Sequence, residues 1–89
     1  MLKVVYSNQF KKDYKKCGKR GLKIELLQSI VETLAIPQEL PEKNKDHFLS
    51  GNYKGYKECH IEPDWLLIYA SDNERLYLYR TGTHSDLFK

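Results

Sequence analysis

Three histidines, His47, His60 and His84, stand in the C-terminal half of this 89-residue sequence, each beside a turn or strand end and none inside an apolar stripe. Turns and strand ends are where a rigid scaffold carries reactive groups. Each imidazole has a carboxylate near it in sequence: Asp46 precedes His47, Asp64 lies four residues beyond His60 across Pro63, and Asp86 follows His84 by two. Imidazole, with an unperturbed pKa of about 6.5, both takes and gives a proton near neutral pH. A reaction suited to such a set is attack of a ribose 2′-hydroxyl on its own 3′-phosphorus. One group removes the hydroxyl proton, a second protonates the departing 5′-oxygen, and a third stabilises the charge on phosphorus, without need of a metal. Arg80 and Lys54 are candidates for the third role, Arg80 the better because a guanidinium grips phosphate oxygens in pairs. Trp65 and Phe88 offer rings on which a base can stack, although a tryptophan in such a position is more often core than platform.

Cys59, His60 and His84 can also be drawn as a metal site. The spacings contain neither a helical His-x-x-x-His nor a close cysteine pair, so no metal and no cofactor is expected. Cys17 and Cys59, far apart and outside any Cys-x-x-Cys pair, read as free cytosolic thiols rather than a disulfide framework.

Charge is unevenly spread. Through Lys45 there are ten Lys/Arg against five Asp/Glu, and from Asp46 onward five against seven, within a formal net charge of +3. Lys11, Lys12, Lys15, Lys16, Lys19, Arg20 and Lys23 fall inside one short stretch. That stretch is either a solvated helix face or a row of cations that neutralises phosphates and releases their counterions.

The elements that must position these residues follow from periodicity. Leu2, Val4 and Tyr6 mark a short strand, and Ser7 offers an N-cap oxygen to the amides after it. Phe10, Tyr14 and Cys17 recur at helical spacing until Gly18 and Gly21 interrupt, so the first helix ends near Lys19. Ile24, Leu27, Ile30, Val31 and Leu34 make a second apolar stripe that ends before Pro37. The stretch from Pro37 to Lys45 holds two prolines and no apolar period and reads as a loop. From Tyr53 the chain is β-like, in the runs YKGYKECHI, WLLIYA and RLYLYR, which predict an antiparallel meander. The expectation is one domain over residues 1–89, of α+β class and order β-α-α-β-β-β. Its antiparallel-rich sheet packs one face on the N-terminal helix pair and leaves the other open for a ligand. No run approaches the roughly 20 apolar residues of a membrane span and no apolar signal segment opens the chain, so a soluble cytoplasmic protein is expected.

Four ordered blocks carry a resemblance. They are Asp46-His47-Phe48-Leu49-Ser50-Gly51, Tyr53-Lys54-Gly55-Tyr56, His60-Ile61-Glu62-Pro63-Asp64-Trp65, and Arg80-Thr81-Gly82-Thr83-His84-Ser85 with Leu87-Phe88. In their order and intervals the chain resembles the YafQ-like branch of the RelE/ParE toxin superfamily. The resemblance implies a RelE-like fold and ribosome-dependent cleavage of messenger RNA. Carried over position by position, the family's histidines fall on His47, His60 and His84, its acidic residue on Asp64, its tryptophan on Trp65 and its C-terminal aromatic on Phe88. On this basis His47 is assigned as general base and His84 as general acid. His60 and Asp64 hold or charge-balance the phosphate site, Arg80 stabilises developing charge, and Phe88 positions the base. Lys11, Lys12, Lys15 and Lys16 would dock on ribosomal RNA, with Lys54 and Trp65 also touching RNA. The resemblance further implies a cognate antitoxin, with operator DNA bound only through the antitoxin complex. Two competing readings are a ParE-like gyrase inhibitor, which needs no acid/base cluster, and a module that binds RNA without cutting it.

Overall fold

Ser7 caps the first helix as its position predicts: its Oγ accepts the Phe10 N–H at 2.9 Å and donates to the Tyr79 carbonyl at 2.6 Å. In the computed structural model, which describes residues 1–88, strand β1 (Lys3–Tyr6) leads into helices α1 (Asn8–Lys19) and α2 (Ile24–Ala35). Strands β2 (His47–Phe48), β3 (Lys57–Glu62), β4 (Trp65–Ser71) and β5 (Arg75–Gly82) follow, and a one-turn helix α3 (His84–Leu87) ends the fold. The five strands form one sheet in the order β1-β5-β4-β3-β2. The meander β2 to β5 is antiparallel throughout, whereas β1 runs parallel to β5, with Val4 beside Leu76 and Tyr6 beside Leu78.

The helix pair covers one face. Phe10, Cys17, Leu27, Ile30 and Leu34 pack on Cys59, Trp65, Leu67, Tyr69, Leu76 and Leu78. Side chains alternate along a strand, so Leu66 and Ile68 point to the opposite face, and both are fully buried there. That face is therefore not left open as the sequence reading expected. The segment around Leu49, Tyr53 and Tyr56 folds over it and meets Tyr79 and Leu87 in a second, smaller cluster.

A second departure lies in the same segment. Tyr53-Lys54-Gly55-Tyr56 reads as strand by residue type, yet Gly51 (φ 65°) and Gly55 (φ 93°) occupy left-handed backbone that other residues avoid. The chain turns there in a 3-10 turn at Gly51–Tyr53, and β3 starts only at Lys57. The turn stacks Tyr56 on Tyr79 with ring centroids 4.7 Å apart.

Candidate active site

Antiparallel pairing of β2 with β3 sets His47 directly opposite Glu58, and His60, two residues along β3, shares the face of Glu58. Glu58 is 6% exposed, and its Oε1 lies 3.5 Å from His47 Nε2 and 3.6 Å from His60 Nε2. One buried carboxylate thus sits between two imidazoles. Each ring is oriented from its other side: His47 Nδ1 is 2.6 Å from the Lys45 carbonyl and His60 Nδ1 is 3.3 Å from the Pro63 carbonyl. Carbonyls only accept, so both Nδ1 atoms donate and both Nε2 atoms face Glu58. Buried Asn44 donates to the His60 carbonyl at 2.7 Å and fixes the end of β3.

His84 approaches from another segment. It opens α3, and its ring centroid is 5.7 Å from that of His60. Asp64, in the turn between β3 and β4, accepts the His84 backbone N–H at 3.0 Å and its Nδ1–H at 2.7 Å, both through Oδ1. The backbone hydrogen bond first, then the imidazole one, holds the Asp64 carboxyl below its ordinary range. An ionised carboxylate on Nδ1 leaves Nε2 as the His84 nitrogen free to exchange a proton with a ligand. Two linked groups, Asp64 with His84 and Glu58 with His47 and His60, thus come from β2, β3, the β3–β4 turn and α3, and the His60 and His84 rings bring them within 5.7 Å of each other.

The start of α3 is itself braced. Thr83 Oγ1 accepts the Asp86 N–H and the Asp86 carboxylate accepts the Thr83 N–H, a reciprocal cap. Asp86 also takes a two-point contact from Arg20, at 2.6 and 3.1 Å, which ties the end of α1 to α3. A Cβ at Gly82 would stand 2.9 Å from Asp86 Oδ2, so glycine there keeps the corner closed. Phe88 follows α3, 40% exposed, its ring edge-on to Tyr53 at 5.6 Å.

A family model described as a bacterial toxin of type II toxin-antitoxin system, YafQ, matches residues 2–89. The chain belongs to this family. It is 42% identical to the mRNA interferase toxin YafQ of Escherichia coli K12 over 96% of this chain and 94% of that protein. Among solved structures it superposes with a TM-score of 0.91 on a chain of the E. coli DinJ-YafQ toxin-antitoxin complex, at 40% identity over 99% and 98% of the two chains. A metal-bound toxin from Helicobacter pylori gives 0.92 at 43% identity, over 99% and 100%.

Several site residues of this YafQ-family chain stand differently from expectation. The carboxylates nearest in sequence are not the partners of His47 and His84. Asp46 bonds Lys57 at 2.8 Å and the Tyr69 hydroxyl, and Asp86 serves Arg20 and the α3 cap. Trp65 is 1% exposed and donates its Nε1–H to Thr81 Oγ1 at 3.0 Å, so it is a core residue with no face for a base to stack on. Arg80 does not join the imidazoles. Its Nε is held at 2.7 Å by Asp13 of α1, a buried carboxylate that needs a counter-charge. Lys54 is exposed beside Tyr53. The four lysines of α1 do not act as one face: Lys11 and Lys15 rim an apolar groove, whereas Lys12 and Lys16 line a polar cleft. Cys17 and Cys59 are free and buried, and burial pushes the Cys59 thiol up to about 12. Among the described residues no group of three or more His, Cys, Asp or Glu side chains is disposed to hold a metal ion, and no helix is long and apolar enough to cross a membrane.

Glu58 is the residue that the sequence reading missed. Its signal was its place two residues before His60 in a β-prone run, which puts both side chains on one face.

Proposed function

We propose that this YafQ-family toxin is an mRNA endoribonuclease that acts on the translating ribosome and arrests translation by cutting the message there. The observation that carries the reading is the linked set of His47, Glu58, His60, His84 and Asp64, which offers both a proton acceptor and a proton donor beside an exposed surface. His47 accepts the proton of the ribose 2′-hydroxyl as its oxygen bonds to phosphorus. His84 delivers a proton to the 5′-oxygen as the bond from phosphorus to that oxygen breaks. The products are a 2′,3′-cyclic phosphate and a free 5′-hydroxyl, so protons and charges balance without a cofactor. Asp64 steadies the imidazolium form of His84, and Glu58 holds His60 and His47 in register. His60 and the exposed Lys54 take the charge-stabilising role at this site, since Arg80 is held by Asp13 away from the imidazoles. Phe88 and Tyr53 present ring edges and faces to the base at the cut.

A toxin of this kind requires restraint. The E. coli relative forms a complex with the antitoxin DinJ, and a cognate antitoxin is the partner proposed for this chain, operator DNA being reached only through it. An apolar groove of about 1030 Å³ between β1, α1 and α2, lined by Val4, Phe10, Tyr14 and Val31, suits an amphipathic segment of that antitoxin. Ribosomes and messages place the site of action in the cytoplasm.

The test is to incubate the protein with ribosomes carrying a defined message, and separately with the message alone, and to map new 5′ ends. Cuts confined to the decoding site and dependent on the ribosome are expected. Intact transcripts would overturn the reading.

A further inference from the structure

Helix α1 divides its cations between two surfaces. Lys11 and Lys15 border the apolar groove. Lys12 and Lys16 instead line, with Arg20 and Arg80, a separate cleft of about 170 Å³ between α1 and the corner where β5 meets α3. Lys12, Lys16 and Arg20 follow one another at intervals of four residues, so their cationic groups stack along one side of the helix at steps of roughly 6 Å.

The cleft also holds two carboxylates, and their placement decides its character. The Asp13 and Asp86 side chains are 9% and 19% exposed, against 60% for Lys16 and 37% for Arg20. Lys16 and Arg20 therefore stand at the mouth above the two acids, with Arg80, 23% exposed, set deeper beside Asp13. Asp13 is already satisfied by Arg80, the Thr81 N–H and Gln9. Asp86 is satisfied by Arg20, the Thr83 N–H and Lys16. These contacts hold the guanidinium groups in place and leave donors over: Arg20 Nε and Arg80 Nη1 are not used, and Lys12 has no ion pair or hydrogen bond among the described residues. Four cations over two saturated carboxylates leave an excess of positive charge at the mouth. The volume suits one tetrahedral anion rather than a nucleobase with its sugar.

We propose that this cleft docks a backbone phosphodiester of RNA through Lys12, Lys16, Arg20 and Arg80, apart from the imidazoles that cut. The proposal rests on the RNA-directed reading above and adds a second point of attachment to it. Asp86, at the cleft floor, is the capping residue of the short helix that His84 opens. A phosphate held here is thus registered to the catalytic imidazole through a single helical turn. The phosphodiester can belong to ribosomal RNA or to the message, and the two sources are separable by experiment.

Binding of the antitoxin-free toxin is measured by fluorescence anisotropy to two probes, vacant ribosomes and a short single-stranded oligoribonucleotide, from about 50 to about 200 mM salt. Two double variants remove the same charge from the same helix: Lys12→Gln with Lys16→Gln in the cleft, and Lys11→Gln with Lys15→Gln at the groove. The cleft pair should weaken binding about ten-fold and lower the log–log salt slope by about 1 to 2. The groove pair should stay within about two-fold of wild type. A loss seen only with ribosomes assigns the phosphate to ribosomal RNA, and one seen only with the oligonucleotide assigns it to the message. Equal losses for the two pairs, or none for the cleft pair, overturn the proposal. Vacant ribosomes carry no message to cut, so the outcome is independent of the nuclease reading. Cleft-dependent binding by a protein that leaves transcripts intact would sink the nuclease and keep the cleft.

Discussion

At the scale of single residues, the candidate site fixes each ring through Nδ1, which turns Nε2 toward Glu58 in His47 and His60 and toward a ligand in His84. Asp64 engages His84 at Nδ1 through a carboxylate that its hydrogen bonds keep ionised, so His84 presents Nε2 to a ligand. Replacing Asp64 by Asn preserves the shape and removes the charge. Single-turnover cleavage should fall by about 100-fold or more, with message binding nearly unchanged, and His84→Ala should fall at least as far, within the range of about 10² to 10⁴ usual for a lost general acid. Thermal melts of both variants close to wild type would assign the loss to chemistry rather than folding. That the three histidines and Asp64 gather was legible in the sequence, because polar residues beside turns stand out against apolar periodicity. The partners of the rings were not. Sequence proximity does not disclose them: Glu58 reaches His47 only through strand register, and Asp64 reaches His84 only across the fold. Glu58→Gln should accordingly slow cleavage while the β2–β3 pairing persists, measured as rate against unchanged strand content in circular dichroism.

At the scale of elements, the short ones matter most to function and are the least visible in sequence. Both helices follow from their apolar periods, and α1 and α2 end where Gly18, Gly21 and Pro37 suggest. Strand β2 has two residues and α3 four, too few for any period to register. Yet these two carry His47 and His84. The span around Tyr53 misled by composition: tyrosines favour strands, but two glycines in left-handed backbone turn the chain over the sheet and cover the face expected to be open. The reciprocal cap on α3 gives a direct check. Thr83→Ala removes the acceptor for the Asp86 N–H and should cost about 1 kcal/mol of stability. Because α3 is where His84 enters, the cleavage rate should drop as well. Gly82→Ala should act through the same corner by displacing Asp86. A variant with the lowered melting point but the wild-type rate would separate the cap from catalysis.

At the scale of the whole molecule, one sheet face anchors the helices and the other carries the site, with the β1 edge beside an apolar groove. Residue type showed where the later strands run, but not that both sheet faces are covered nor that β1 lies parallel to β5, since strand order depends on how the helix pair crosses back. Charge couples the molecule to acidity. The Arg20 guanidinium, and after it the Thr83 N–H, hold the Asp86 carboxyl well below the usual range. A carboxyl depressed on folding stabilises the native state at pH above its unfolded value near 4, and that contribution is lost as pH falls through the folded value. Asp64 and Asp72 are shifted in the same direction. Melting temperature should therefore be level near neutrality and fall in acid. The deficit of Asp86→Asn should be full at pH 7 and should close as pH drops below about 4, as thermal melts across that range will show. In the proposed mechanism, imidazoles from separate segments drive attack by the message's own 2′-hydroxyl. The most direct measurement places a single 2′-deoxy nucleotide 5′ to the cleaved bond in a ribosome-bound message. Cleavage there should disappear, while the all-ribose message should yield a 2′,3′-cyclic phosphate end. Cutting of the deoxy message at an undiminished rate would contradict that mechanism.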